Sequence, residues 1–527
     1  MGFAHDYADA IMHRGRVPME PVDFVPDWAD RPRDAKFYPG AETLPLPEPE
    51  PGPGEGVFTL PLLSGMLRDS YGLTGRRLGV QANTDLAALP HYTHANWSRG
   101  TASGGGLYPV GVYWVAGGGG PLTPGVYHYA PHQHGLRRLL TGEVGAEVGA
   151  ALGGDLSGSG QYLVLSVKYW QNAFKYNNFS FHAVSMDVGT VLQTWRLWAR
   201  ERGLRIAPAL WFDEERLARL LGVVPHEEGI FAVVPLEWAG AATALPAPSA
   251  ARPAGTASGA SEPPAPAPAV RHRDAERSRT VLTFETAGRI HAATLGHAGD
   301  RPAPGALDAA AARPPVGGVP VPLPPAAPPV RDVTAALRAR RSSFGRFDAT
   351  RAVAADRLAA VLADCAAAAV GSEAEGPDGP RLTALYVFVN HVEGVEPGAY
   401  AYDPDGHVLR LVVPGPPGPF LQRNYFLSNY NLEQAGAVLV PTVRTAAVLD
   451  AVGDRGYRLV GAAVGAVAQT FYTSAAAHDL GAGVALGFDN ISYAEELGLT
   501  GTDEAALLIM LLGHERPRPA DFRHEIA

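Results

Sequence analysis

The sequence predicts two homologous α+β domains in one chain, packed side by side as an intramolecular pseudo-dimer. Three observations carry this. First, "GVYHYAPHQHGLRRL" from Gly125 and "GAYAYDPDGHVLRLV" from Gly398 share Gly, Tyr, Tyr, Pro, His and Leu at one constant offset. "GTVLQTW" from Gly189 then lines up with "GAVAQTF" from Gly465, and "WFDEERLARLLGV" from Trp211 with "GFDNISYAEELGL" from Gly487, in the same order in both halves. Second, each half mixes strand-like and helix-like runs. Third, a Pro-rich stretch long enough to span a domain separates the halves.

Taken along the chain, residues 1–55 form an N-terminal extension and residues 56–238 the first half. In that half "YWVAGG" and "GVYHY" are aromatic and β-branched and stop at Gly and Pro, which predicts paired strands. "MDVGTVLQTWRLWARER" has apolar residues at helical spacing, and "IFAVVPL" is a continuous apolar run suited to a buried strand. Residues 239–330 hold 17 of the 47 prolines, a composition that cannot bury a core of its own. One island interrupts it, "RSRTVLTFETAGRIHAATL" from Arg277, where Phe284, Ile290 and Leu295 fall on one face of a docked helix. Residues 331–520 form the second half and end on the apolar strand "ALLIMLLG".

Composition narrows the function. The chain is 46% apolar with a net charge of −10, and no Lys/Arg stripe with interleaved aromatics is present, so no nucleic-acid partner is expected. The lone cysteine, Cys365, allows neither a disulfide nor a Cys-based zinc site and reads as a small core residue. No window approaches the ~18 apolar residues of a membrane span and no signal-peptide core opens the chain, so a cytoplasmic protein is expected. The histidine groups lack HExxH, and no GxGxxG or P-loop follows a strand. No metal, dinucleotide or NTP site is therefore predicted.

Function is read from what the two halves do not share. "ASGGG" (Ala102–Gly106), with its Ser103–Gly106 loop, precedes a strand in the first half, and its counterpart is "EGPDG" (Glu375–Gly379). Arg340, Arg341 and Ser342 stand at a helix-to-loop boundary in the second half only, where guanidinium forks and a hydroxyl suit phosphate. "DLGAGVALG" (Asp479–Gly487), also in the second half only, reads as a glycine-rich turn at Gly481 and Gly483 where backbone approaches a ligand. These pieces would meet in a single composite site across the pseudo-dimer interface.

Those segments resemble the nitroreductase-like flavoenzymes, whose dimers bind FMN at the subunit interface. The chain is more closely similar to the SagB-type azoline dehydrogenases of thiazole/oxazole-modified peptides. That likeness lies in "SRGTASGGGLYPVGVYW", "GVYHYAPHQHGL", "FDEERLARLLGVVPHEE" and "DWADRPRDAKFYPG". It departs from the family at Ala102, where a proline is usual, and at Asn177, where a glycine is. The resemblance implies FMN held by Arg99, Ser103, Gly104 and Gly105 together with Arg340, Arg341, Ser342, Gly481 and Gly483. It also implies a catalytic Lys175-Tyr176 pair, whose register in the second half holds Ala451-Val452. Which of the two is the base stays open. The implied reaction oxidises thiazoline or oxazoline rings in a ribosomal precursor peptide to the aromatic azole. A cyclodehydratase partner and further self-association are left undecided. The alternatives are an NAD(P)H-dependent nitroreductase-like enzyme on a small molecule and a flavin-free scaffold of a peptide-modifying complex.

Overall fold

The computed structural model describes residues 2–49, 54–78, 95–154, 156, 158–240, 267–375, 379–517 and 522–526. Each half folds its aromatic and β-branched runs into an antiparallel sheet. The first comprises β1 (Thr43–Pro45), β2 (Val110–Ala116), β3 (Gly125–Ala130), β4 (Gly135–Thr141), β5 (Tyr162–Lys168) and β6 (Glu228–Pro235), ordered β1–β4–β3–β2–β5–β6. The second comprises β7 (Pro320–Pro322), β8 (Thr383–Val389), β9 (Gly398–Asp403), β10 (Val408–Pro414), β11 (Ala437–Val443), β12 (Gly481–Ala485) and β13 (Ile509–Gly513). Its order is β7–β10–β9–β8–β11–β13–β12, with Ala505–Ala506 beside β11. The two orders correspond strand for strand, and β12 is the addition. A small third sheet pairs Gly75–Leu78 with Ala95–Ser98 and with the C-terminal Phe522–Glu525.

The shared Gly-x-Tyr-x-Tyr-x-Pro blocks become the same hairpin twice. His134 and His407 each sit at the turn with positive φ (44° and 49°). Each ring is tied by Nδ1 at 2.9 Å to the hydroxyl of the hairpin's second tyrosine, Tyr129 or Tyr402. Both edge strands come from Pro-rich sequence: β1 pairs Thr43 with Arg137, and β7 pairs Pro322 with Val408. Proline is tolerated there because an edge strand leaves one side of its backbone unpaired. Part of the predicted linker is thus a sheet strand; its residues 241–266 lie outside the described residues.

Eight helices are used below: α1 (Phe3–His13), α2 (Leu60–Ser70), α3 (Trp170–Tyr176), α4 (Ser180–Glu201), α5 (Glu214–Leu221), α6 (Glu285–Gly296), α7 (Val333–Ala339) and α8 (Gly456–Ala477). The repeat's two long helices, α4 and α8, pack against each other and join the halves. A Cβ at Gly189 would lie 2.1 Å from the Ala462 carbonyl oxygen, and one at Gly465 would lie 2.0 Å from that of Met186. Only glycine permits this backbone approach. By length and composition α8 is apolar enough to cross a membrane, contrary to the expectation from the sequence. Its described window is wholly buried, because both halves cover it.

Two further pieces span the halves. In α1, Tyr7 Oη donates to the Asn178 carbonyl at 2.9 Å, while Asp454 accepts from the Ala4 N–H at 3.3 Å. The island helix α6 docks through Ile290, His291 and Thr294, with Phe284 and Leu295 only half-buried, so its face is turned from the one predicted. Arg455, just before α8, and Arg458 within it donate to Thr294 and also to Glu214 of α5, at 2.8 and 2.9 Å, in a fully buried cluster. Burial alone would push the Glu214 carboxyl up, but Arg458 and Arg455 bring it down to about 2.

Gly465→Ala or Gly189→Ala should each cost about 1–3 kcal/mol by forcing the helix pair apart. Gly288→Ala, at an open position on α6, should be neutral or stabilising by up to about 1 kcal/mol. Thermal unfolding of the three variants checks the contrast.

Candidate functional site

The segment from Arg99 to Gly106 leaves the small sheet and crosses the top of the α4–α8 pair, which holds it atom by atom. Gln469 of α8 accepts from the Ala102 N–H at 2.9 Å and donates to the Gly100 carbonyl at 3.1 Å. Thr190 of α4 donates to the Ala102 carbonyl at 2.8 Å, and the Thr101 hydroxyl donates to that of Thr194 at 3.0 Å. Asp187 of α4 receives the Ser103 hydroxyl at 2.7 Å and the Gly104 N–H at 2.8 Å. Burial pushes the Asp187 carboxyl up to about 7, against the downward pull of those two donors. Asp187 was not singled out in the sequence, although one acid in an otherwise apolar helical stretch was the available signal.

Lys175 and Tyr176 end α3. They are not on a strand, so they do not point to opposite faces. Both converge on Gly105, whose φ is +64°. A Cβ there would lie 2.5 Å from Tyr176 Oη and 2.9 Å from Lys175 Nζ. Lys175 Nζ itself lies 4.9 Å from the Tyr176 ring centroid. Desolvation lowers the Lys175 ammonium from its ordinary 10.5, which favours the neutral amine. Burial, with the Asp187 carboxylate behind it, raises the Tyr176 hydroxyl well above its ordinary 10.0. Gly105 and Gly106 are exposed, so the pair is reached from solvent across bare backbone.

The second half contributes from the other side. Arg340, just past α7, donates to the carbonyls of Gly100 (2.7 Å), Arg99 (2.8 Å) and Thr101 (3.3 Å) and lies over the Tyr472 ring. Arg340 therefore clamps the first half's loop. Ser342 shares a 2.8 Å hydrogen bond with the Tyr472 hydroxyl, and Arg341 pairs with Glu515. A cleft of about 310 Å³ opens here, lined by Arg331, Arg340, Arg341, Arg351, His514, Asp479, Glu515 and Gly481. Four guanidinium groups face two carboxylates in that lining, a surplus of positive charge that fits a phosphate.

Three predicted residues are placed differently. Gly481 and Gly483 lie in strand β12 and not in a turn, and their space is taken by neighbours. A Cβ at Gly481 would meet Ser343 Oγ at 2.7 Å and Glu515 Cγ at 2.6 Å, and one at Gly483 would meet the Tyr430 ring at 2.4 Å. Arg99 turns away from the cleft and is buried between Tyr71 and Tyr108.

The symmetry-related region is built from other side chains. In the helical register Ala463 stands for Asp187 and Arg196 for Tyr472. Glu373 accepts from the Leu210 and Trp211 N–H groups, at 2.9 and 2.7 Å. Residues 376–378, within the counterpart of the Ser-Gly loop, lie outside the described residues.

A carboxyl raised from 3.8 to about 7 on folding binds a proton in the folded state that the unfolded chain has released. Its stabilising share is full below pH 3.8, declines as pH rises and is gone above about 7. Asp187→Asn should remove this slope, worth up to about 4 kcal/mol. The check is the difference in unfolding free energy between the two proteins at pH 5 and pH 8.

Residues 337–514 match the nitroreductase family. A candidate nitroreductase of Methanocaldococcus jannaschii is 29% identical over 160 residues, 30% of this chain and 71% of that protein. The crystal structure of a candidate nitroreductase from Anabaena variabilis aligns over 98% of this chain and 100% of its own, with a TM-score of 0.72 and 22% identity. The E. coli microcin synthetase McbBCD complex aligns over 34% of this chain and 70% of its own at 17% identity, but its TM-score of 0.29 carries no argument. The chain thus has a nitroreductase-like fold of two tandem domains, and residues 337–514 match the nitroreductase family model.

Proposed function

We propose that this chain is an FMN-dependent oxidoreductase with one site per chain, and that it oxidises thiazoline or oxazoline rings of a ribosomal precursor peptide to the azole. The observation that carries the reading is the meeting of Lys175 Nζ and Tyr176 Oη at Gly105. That meeting lies on the same short loop whose other end is clamped by Arg340. An elongated ligand with a phosphate at one end and a planar ring at the other suits such an arrangement. The Arg340–Arg341 cleft would hold the phosphate, and Ser103–Gly105 would border the ring. When bound, FMN supplies the acceptor for a hydride from the azoline ring.

The chain's own residues supply the rest. Lys175, with its ammonium destabilised by desolvation, takes the remaining ring proton at Nζ. Tyr176 keeps its proton and serves as a hydrogen-bond donor beside it. Asp187 fixes Ser103 and Gly104, so the loop keeps one course above the helix pair. Because Gly105 and Gly106 carry no side chain, a ring embedded in a peptide can reach the amine without threading a channel.

Visible absorbance of the purified protein should give one FMN per chain. Two per chain would contradict a single site, and none after FMN addition would favour a flavin-free scaffold. Lys175→Ala and Tyr176→Ala should each retain FMN yet lower azole formation by about 10²-fold or more; full turnover by both would remove the assignment. The rising limb of activity against pH should fall below the ordinary lysine value of 10.5 and vanish in Lys175→Ala. Rapid bleaching of the flavin by NAD(P)H would favour a small-molecule nitroreductase.

A further inference from the structure

The Pro-rich connection carries one charged feature that the proposed reaction does not use, over residues 271–279. The run "RHRDAERSR" is neither helix nor sheet strand, yet its side chains alternate as they do in extended chain. Asp274, Glu276 and Ser278 turn inward. The two acids pair with Lys168 at 2.5 and 2.6 Å, and the Ser278 hydroxyl accepts from the Trp170 indole N–H at 2.9 Å. Arg271, Arg273, Arg277 and Arg279 turn outward and are all exposed, with Ala275 the one break in the row.

The N-terminal extension holds this run in place. The Ala275 N–H donates to the Phe37 carbonyl at 2.7 Å, and the Phe37 N–H donates to Asp274 at 2.7 Å. Asp30 accepts from the Arg279 and Thr280 N–H groups at 2.8 and 2.9 Å. The carboxylates are thus committed to the fold, and the guanidinium groups are left to solvent. Among the described residues Arg271 and Arg277 have no side-chain partner, and Arg273 donates to the Gly222 carbonyl. The Arg279 side chain is 87% exposed, with Asp30 at 3.7 Å. Same-face side chains of extended chain repeat every ~6.6–6.8 Å, within the Debye length of about 8 Å at physiological salt. The row therefore acts as two close pairs of positive charge, and most of the chain's net charge of −10 is screened from it.

We propose that this row docks an acidic, extended segment of the peptide substrate, with carboxylates at alternate positions opposite the four arginines. The proposal rests on the reading of the substrate as a peptide. Two observations tie the row to the reacting pair. Trp170, anchored by Ser278, opens the helix α3 that Lys175 and Tyr176 end. Trp28, two residues before Asp30, is exposed, and its ring lies 5.1 Å from that of Phe174, the neighbour of Lys175. The Arg279 end of the row thus lies toward the pair, and a segment held along the row leaves its continuation beside Trp28. Single-stranded nucleic acid is held by stacking its bases on aromatic rings as well as by phosphate contacts. No Phe, Tyr or Trp stands within residues 271–279, so a chain of carboxylates fits the row better.

The test uses the full-length protein and two fluorescent peptides of equal length, one alternating Glu with Ser and the other Gln with Ser, read by fluorescence anisotropy. The Glu-Ser peptide should bind, more weakly as salt rises, and the Gln-Ser peptide should not. Arg271→Gln, Arg273→Gln, Arg277→Gln and Arg279→Gln together should weaken the Glu-Ser peptide by about tenfold or more. The same charge change at exposed arginines elsewhere, Arg200→Gln, Arg205→Gln, Arg381→Gln and Arg423→Gln, should leave its affinity unchanged. Equal binding of the two peptides, binding of neither, an equal loss in both variants, or tighter binding of an oligothymidylate of the same charge would each overturn the proposal. The two peptides on the wild-type protein decide the matter even if a variant does not fold. Binding needs neither flavin nor turnover. Azole formation without peptide binding would therefore overturn the docking row alone, and peptide binding without azole formation would overturn the assigned reaction alone.

Discussion

The backbone contact between α4 and α8 at Gly189 and Gly465 is the constraint on which the rest depends. It brings two sheets, each with its own core, to a fixed separation. It also gives the loop from Gly100 to Gly104 a two-helix platform with polar side chains at the required heights. Thr190, Thr194 and Asp187 rise from one helix and Gln469 from the other. Tyr472, further along α8, reaches Ser342. A helix pair held farther apart could not satisfy both sides of the same loop. The proposed cofactor contacts are therefore a by-product of helix packing, with the small residues of α8 as their precondition.

The charged cluster beneath the platform answers a different need. Glu214, Arg455 and Arg458 are buried, and ions so placed are justified only when hydrogen bonds fill their remaining valences. Here the Leu210, Thr294 and Ile230 carbonyls fill most of them, and Arg455 Nη2 alone of the cluster has no partner among the described residues. The island helix α6 becomes the third party to an ion cluster that already joins the two halves. A connection that reads as a tether in the sequence is in part a structural wedge.

Much of the architecture was legible because the repeat blocks encode hairpins, caps and a helix twice over. Asp213 and Asp489 cap equivalent helices, and His134 and His407 mark equivalent turns. What escaped has physical reasons. Thr43–Pro45 lies in the N-terminal extension and Pro320–Pro322 in proline-rich text that composition assigns to linker, yet each is an edge strand, which needs only one paired side. The Lys-Tyr pair reads equally as strand or helix over so few residues, and only the helix lets both side chains meet at Gly105. Gly481 and Gly483 read as a turn because glycine is common in turns, but they lie in strand β12, where the Tyr430 ring fills the space beside Gly483 and Gly481 lines the cleft. Arg99 stands three residues before Ala102, yet the chain turns between them, and sequence proximity did not carry the guanidinium to the cleft.

The fusion of the halves has one more consequence. A homodimer of this architecture would duplicate every side chain at both symmetry-related positions, so neither could change without the other. Its interface would also loosen on dilution. In one chain the partner's effective concentration is set by covalent connection and by the embedded α6. Mutational drift at one position is thereby uncoupled from function at the other. Arg196 could replace a tyrosine, and Glu373 could settle on the Leu210 and Trp211 amides, without touching the loop that carries Gly105. Asymmetry, which a dimer of identical subunits cannot store in its sequence, is here heritable residue by residue.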